Sequence, residues 1–277
     1  MSSFEGKHVL ITGASSGIGK ALAFEFARCG GHVSLLARRR DRIEEIASQL
    51  KQTYPKQKIL PIVADVTSDA SMREAVSNSI QKIGPLDVVL ANAGFGVAGE
   101  VAELELDDFR RQFETNVFGV LRTIKETIPS LAETRGRLAI IGSVNGYVSL
   151  PGISAYAMSK FSVRALSDAV YHEMLPRGIS VTHIAPGFVV SEIRRVDNEG
   201  SLAETAKDPI PMWLQMDANT ASRKIVNAIY RRKRERVITA HGWWVVRLHR
   251  FFPGMISFLI QVFKIKARSE PRPQREI

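Results

Sequence analysis

Cysteine is almost absent: Cys29 is the only one in 277 residues. No intrachain disulfide can form, which fits a reducing compartment. A secretory leader is missing as well. The chain has no positive stretch followed by a long apolar run and a small-residue cleavage site, and His8-Val9-Leu10-Ile11 already reads as a strand. A cytosolic protein is the expectation. No apolar run is long enough to cross a bilayer, since the uninterrupted stretch Phe251 to Phe263 is too short. Internal repeats are absent. The net charge of +10 is not spread over the chain, because twelve basic and three acidic residues lie from Arg231 onward and the remainder is nearly neutral. The charge belongs to a terminal extension and not to a groove across the fold, so no nucleic-acid partner is expected.

What is present is an alternation. Short apolar runs, Val9 to Ile11, Val33 to Leu36, Ile59 to Val63, Val88 to Leu90, Leu138 to Ile141 and Val181 to Ile184, are rich in β-branched residues and apolar on both faces. That suits strands buried on both sides. Helical patterns such as Gly19 to Cys29, Arg40 to Gln52 and Ala70 to Lys82 separate them. The expected fold class is α/β, a three-layer doubly wound parallel sheet (Rossmann fold) in a single domain with a C-terminal helical extension. The catalytic domain is expected over residues 1–240, with a substrate lid at 191–218 and a basic, apolar extension at 241–277. A helix starting at Asn219 or Thr220 as N-cap should end in Arg231 to Arg234. Arg236 to Ala240 reads as a final edge strand.

The first strand runs into Thr12-Gly13-Ala14-Ser15-Ser16-Gly17-Ile18-Gly19, and a helix follows. Glycines there make a tight turn, let backbone approach a pyrophosphate and let the helix pack on the strand. The helix N-terminus offers free N–H groups to phosphates. The second strand ends in Ala37-Arg38 with no acidic residue. A carboxylate at that point selects the ribose 2′-hydroxyl of NAD, whereas Arg38 suits a 2′-phosphate, so NADP(H) is the expected cofactor.

Tyr156-Ala157-Met158-Ser159-Lys160, with Ser143 thirteen residues upstream and Asn116 before both, resembles the active-site signature of the short-chain dehydrogenase/reductase family. Asp65-Val66, Asn92-Ala93-Gly94 and Pro186-Gly187 follow the third, fourth and sixth strands in the family's order. The C-terminal extension resembles those of its lipid- and steroid-handling reductases. The resemblance implies hydride transfer between a nicotinamide and a carbonyl or alcohol, with Asn116, Ser143, Tyr156 and Lys160 as the catalytic set. It implies dinucleotide contacts from Gly13, Ser15, Ser16, Gly17, Ile18, Gly19, Arg38, Asp65, Val66, Asn92, Ala93, Gly94, Tyr156, Lys160, Pro186, Gly187, Val189 and Ser191, and no metal. Two departures are small: Ala91 stands where the family commonly has Asn, and Ser191 where it commonly has Thr.

The residue types suit that chemistry. A free phenol ionises near pH 10. An ammonium four residues along the helix and a nicotinamide cation both favour its phenolate. Tyr156 can then exchange a proton with the substrate oxygen while Ser143 hydrogen-bonds the same atom. Lys160 is expected on the nicotinamide ribose, and Asn116 to seat a water leading to solvent. Trp213, Leu214 and Met216 are expected as an apolar wall of the lid. Trp243 to Phe263, flanked by Lys264, Lys266 and Arg268, reads either as a segment lying in a membrane interface or as a helical flap packed on the substrate pocket or a dimer partner. A homo-oligomer is expected through helices near Asp108 to Ser130 and Ala155 to Leu175, with Ala155, Phe161, Leu166 and Val170 at the contact. The alternatives are a non-catalytic dinucleotide sensor and a membrane-associated interaction protein on the same fold.

Overall fold

A computed structural model describes residues 3–194, 198, 208 and 210–263. The elements run β1 (His8–Thr12), α1 (Gly17–Arg28), β2 (His32–Ala37), α2 (Arg40–Thr53), β3 (Ile59–Val63), α3 (Asp69–Ile83), β4 (Val88–Ala91), α4 (Leu106–Phe113), α5 (Gly119–Thr134), β5 (Arg137–Ile141), α6 (Ser154–Met174), β6 (Ser180–Ala185), α7 (Ala218–Tyr230), β7 (Glu235–Val237), α8 (Ala240–Phe251) and α9 (Pro253–Val262). The seven strands form one parallel sheet in the order β3-β2-β1-β4-β5-β6-β7. The order reverses between β1 and β4, and in such sheets the crevice beyond the strand C-termini at that point takes ligands.

Every residue of β1 is buried because the pleat feeds two cores. Val9 and Ile11 join Leu22, Phe26, Ile43 and Ile225 on one face, while Leu10 joins Met72, Val120, Ile124 and Val163 on the other. Each fully buried aliphatic or Phe side chain contributes about 1.5–3 kcal/mol of transfer free energy before chain entropy is subtracted. Consecutive apolar residues are what a strand covered by helices on both sides requires.

Three expectations need correction at the C-terminal end. The N-cap of α7 is Asp217, whose carboxylate accepts from the Thr220 amide at 2.9 Å, so Asn219 and Thr220 lie inside the helix. An anionic cap at the positive helix end outweighs the neutral side chains that follow it. The helix stops at Tyr230 and does not include Arg231 to Arg234. The edge strand ends at Val237, because Thr239 caps α8 by accepting from the Gly242 amide and Ala240 is already helical. Pro253, fitted to a first helical turn, divides the apolar extension into two helices.

The helix pair has two sides. Val245, Val246 and Ile256 pack with Val237 against Tyr147, Val148 and Ala185. Trp244, Phe251, Phe252, Phe258 and Phe263 are exposed on the other side. No helix among the described residues is long and apolar enough to cross a membrane.

Candidate active site

The site is built at the C-terminal ends of β1, β4, β5 and β6. At β1 the chain turns into α1 through Gly13, whose φ of +67° favours glycine. A Cβ on Gly13 would lie 2.8 Å from the Ala93 Cα, and one on Gly19 would lie 2.2 Å from the Gly13 carbonyl oxygen. The loop therefore keeps the tight glycine turn that a pyrophosphate cradle requires, and α1 opens from it with its first amides free for an anion. Ser15, Ser16, Gly17 and Ile18 lie along this turn.

β4 is stapled to the loop. Thr12 Oγ1 accepts from the Asn92 and Ala93 amides at 3.0 and 3.1 Å, and the Asn92 side-chain amide donates to the Thr12 carbonyl at 2.8 Å. Asn92 thus holds the cradle's shape from behind. Asp65 organises the turn after β3, its carboxylate accepting from the Thr67 amide and hydroxyl at 2.9 and 2.8 Å. Val66 packs against Gly119, where a Cβ would come within 2.8 Å of it.

Asn116 sits in a single π-helical turn, Glu114–Phe118, between α4 and α5. Such wide turns often mark functional positions, and this one directs a fully buried Asn116 inward. Its amide group donates to the Phe95 carbonyl at 3.0 Å and to Ser159 Oγ at 3.1 Å, and its oxygen accepts from the Phe95 amide at 3.1 Å. Ser159 in turn donates to the Tyr156 carbonyl at 2.7 Å. Asn116 therefore clamps the loop after Gly94 onto the first turn of α6.

Ser143 and Lys160 come together because β5 and β6 are stitched past their ends. The Gly142 amide donates to the Ile184 carbonyl and the Val144 amide to the Pro186 carbonyl, at 2.8 and 2.9 Å. Ser143 then caps a short 3₁₀ turn by accepting from the Asn145 amide. Lys160 is buried, donates to the Ile141 carbonyl at 3.0 Å and lies 5.7 Å from the Tyr156 ring centre. Burial lowers its ammonium to about 8. Among the described residues the Ile141 carbonyl is its one hydrogen-bond acceptor, and an ammonium carries three donors, which suits ribose hydroxyls. Gly146 is obligatory here, since a Cβ would lie 2.7 Å from the Lys160 carbonyl oxygen.

The loop after β6 closes the site from the other side. Pro186 is buried, and a Cβ on Gly187 would clash with Thr239 Oγ1 at 2.2 Å. Val189 bridges Met216, and its side chain lies in the core with Ile184 and Ile225. Ser191 lies across the phosphate loop, 3.1 Å from where a Gly17 Cβ would stand. Met216 is partly buried against the same core, and Trp213 is 83% exposed. The rest of the expected lid, at 195–197, 199–207 and 209, lies outside the described residues, as do Lys264, Lys266 and Arg268.

Arg38 is exposed at the end of β2. Four participants, Arg39, Arg42, Glu192 and His241, are not singled out in the sequence. Arg39 donates to Ser15 Oγ at 3.0 Å and to Glu192 at 3.2 Å, and Arg42 donates to Glu192 at 3.1 Å. His241 stacks on Phe188, and its Nε2 accepts from the Phe188 amide at 3.3 Å. The run Arg38 to Arg42 was a visible signal for the first two. Nothing in the sequence points to His241, which acts across 53 residues. Two of the expected oligomer contacts are overturned: Ala155 and Val170 are buried within the chain, whereas Phe161 is 41% exposed and Leu166 is partly so.

The short chain dehydrogenase family model matches residues 7–201. An uncharacterized oxidoreductase of Mycobacterium tuberculosis is 34% identical over 255 residues, covering 90% of this chain and 95% of that protein. The 3-dehydrosphinganine reductase of Danio rerio is 36% identical over 185 residues, covering 65% of this chain and 56% of its own length. An alcohol dehydrogenase of Thermococcus sibiricus, solved with 5-hydroxy-NADP, aligns with a TM-score of 0.72 at 27% identity, over 83% of this chain and 95% of that one. A short chain dehydrogenase/reductase of Burkholderia phymatum, solved with NAD, shares the fold with a TM-score of 0.80 at 22% identity, over 98% and 99% of the two chains.

Proposed function

The chain belongs to the short chain dehydrogenase family and is an oxidoreductase that works with a nicotinamide dinucleotide, and on that premise we propose that it is an NADP(H)-dependent reductase of bulky, apolar carbonyl compounds. The observation that carries the reading is the buried Lys160 beside Tyr156, with Ser143 held on the neighbouring loop and Asn116 locking the helix that bears both. A purely structural lysine would keep its ammonium in water.

When bound, the nicotinamide supplies the hydride. Tyr156 donates its phenolic proton to the substrate oxygen, and the positive charge of Lys160 lowers the cost of the phenolate left behind. Ser143 holds the same oxygen by a hydrogen bond. Lys160 also takes the ribose hydroxyls through its ammonium. Arg38, exposed with no acidic neighbour on its strand end, receives the 2′-phosphate.

The apolar substrate class rests on α8 and α9. Their outer face presents Trp244, Phe251, Phe252, Phe258 and Phe263. Their basic flank carries Arg247 and Arg250, and the charge of the chain collects in the same stretch. We read this face as a peripheral contact with an anionic lipid surface, the place where a bulky ketone would be met. Relatedness to a sphinganine reductase supports the same class. The oligomer would form through exposed residues of the π turn before α5 and of α6, Phe118, Met158 and Phe161.

The test is turnover of long-chain and polycyclic ketones against short water-soluble ones, with and without anionic vesicles. Preference for the large substrates, raised by vesicles at low salt, supports the reading. Equal turnover of small carbonyls together with indifference to vesicles overturns the substrate class. A sensor reading predicts dinucleotide binding with no turnover of any of them.

A further inference from the structure

Glu192 opens a short 3₁₀ turn directly after Ser191, where the chain crosses the phosphate loop. One carboxylate oxygen accepts from Arg39 Nη1 at 3.2 Å and the other from Arg42 Nη1 at 3.1 Å. The remaining donors of Arg39, Nε and Nη2, both reach Ser15 Oγ, at 3.3 and 3.0 Å. Arg39 therefore ties the segment after β6 to the turn between β1 and α1. Beside this cluster lies a cavity of about 190 Å³ lined by Ser15, Ser16, Gly17, Lys20, Arg42, Glu45, Ile46 and Glu192, so a second carboxylate, Glu45, stands on its wall. Partial burial resists ionisation of Glu192, but the Arg39 hydrogen bond and the charges of both arginines outweigh it and hold the carboxyl below its usual range.

Two guanidinium groups converging on one anion beside loop hydroxyls and a lysine make an anion site, here filled by the chain's own carboxylate. The site lies next to Arg38, at the strand end that faces the adenosine ribose. A 2′-phosphate there needs the same guanidinium donors and carries more negative charge. Phosphate and carboxylate cannot both keep those donors, because two anions a few ångströms apart repel. A cofactor with a free 2′-hydroxyl brings no such conflict.

We propose that Glu192 is a specificity-determining residue that competes with the 2′-phosphate of NADP(H) for Arg39 and Arg42. The phosphorylated cofactor must displace it, and NAD(H) need not. The native carboxylate therefore reduces the discrimination that the arginines would otherwise give. This deepens the NADP(H) reading and rests on it.

Calorimetric titration of the full chain with 2′,5′-ADP and with 5′-AMP at low salt tests it, because the two probes differ by the phosphate in question. Wild type should bind 2′,5′-ADP more tightly than 5′-AMP. Glu192→Gln and Glu192→Ala should each bind 2′,5′-ADP about tenfold more tightly than wild type, the scale expected for releasing two half-exposed ion pairs, with 5′-AMP unchanged. In a chain also carrying Arg39→Ala and Arg42→Ala the gain should vanish. If wild type does not discriminate between the probes, the NADP(H) reading falls and this inference with it. If wild type discriminates but the Glu192 variants match it or bind 2′,5′-ADP more weakly, the inference alone is overturned. A gain that persists without the two arginines also overturns it, since it would reflect overall charge and not competition.

Discussion

The wall around Lys160 and the helix pair at the C-terminus are built in opposite ways. In the wall, Asn116, Ser159 and Lys160 are buried, and their polar groups bond one another or backbone, the ammonium donating to the Ile141 carbonyl. In the helix pair α9 has no buried residue and α8 has only Gly242, while aromatic rings stand in solvent. Polar groups taken inside must be satisfied by geometry, so the wall is specified by the chain itself. Apolar groups left outside in such number form the face that the proposed lipid contact would cover. The two regions meet at Thr239 to Gly242, where α8 starts against Gly187, Phe188 and Val144.

That contrast can be broken at several points. The largest effect is expected for Tyr156→Phe, which keeps the ring and removes the proton. Turnover should fall by at least about three orders of magnitude while NADPH fluorescence titration stays within a fewfold of wild type. Retained turnover would remove Tyr156 from the chemistry.

Next is Lys160→Met. It should abolish turnover yet raise the stability of the cofactor-free protein at pH 7 by about 1–3 kcal/mol, because it deletes a buried charge. The sign follows from the lowered ammonium, at about 8. Between pH 8 and the ordinary lysine range the unfolded chain holds the proton that the folded chain has lost, so wild-type stability rises with pH there. The variant should lose that rise. A destabilised variant, or an unchanged pH profile in denaturant melts, would show that burial does not disfavour the charge.

Arg38→Asp should cost about one to two orders of magnitude in NADPH affinity and leave NADH as well bound or better. Equal loss for both cofactors would assign Arg38 to the fold.

The smallest effect on stability is expected on the outer face. Replacing Trp244, Phe251 and Phe258 by Ser should change the denaturation midpoint little, within about 0.5 kcal/mol for each surface site. Vesicle binding in a flotation assay should drop severalfold. A large loss of stability would mean that these rings pack on a partner or on the chain.

The sheet was legible because strands covered on both faces write an unbroken apolar run, as in Val33 to Leu36, and every such run became a strand. The candidate site left a different trace: Tyr156 and Lys160 lie one helical turn apart on α6, and Gly13 and Gly19 of the loop leave no room for a side chain. The ends of elements were less legible. Asp217 and Thr239 act through capping bonds to amides three residues on, a choice among neighbouring polar residues that composition leaves open. The pairing of Glu192 with Arg39 and Arg42 spans about 150 residues and exists only once β2 and the segment after β6 share a sheet edge. The fate of Ala155 and Val170 turned on which side of α6 faces the sheet, and period alone does not say whether a helix face meets its own core or a second subunit.

The central claim is that the Tyr156 site moves hydride from NADPH to a carbonyl carbon. The most direct measurement follows deuterium from NADPH labelled on the transferable side of C4 into a panel of long-chain and polycyclic ketones, read by mass spectrometry of the alcohols. The account predicts one deuterium on the carbinol carbon with the wild-type chain and none with Tyr156→Phe. Tight NADPH binding by the wild type with no label reaching any carbonyl would contradict it.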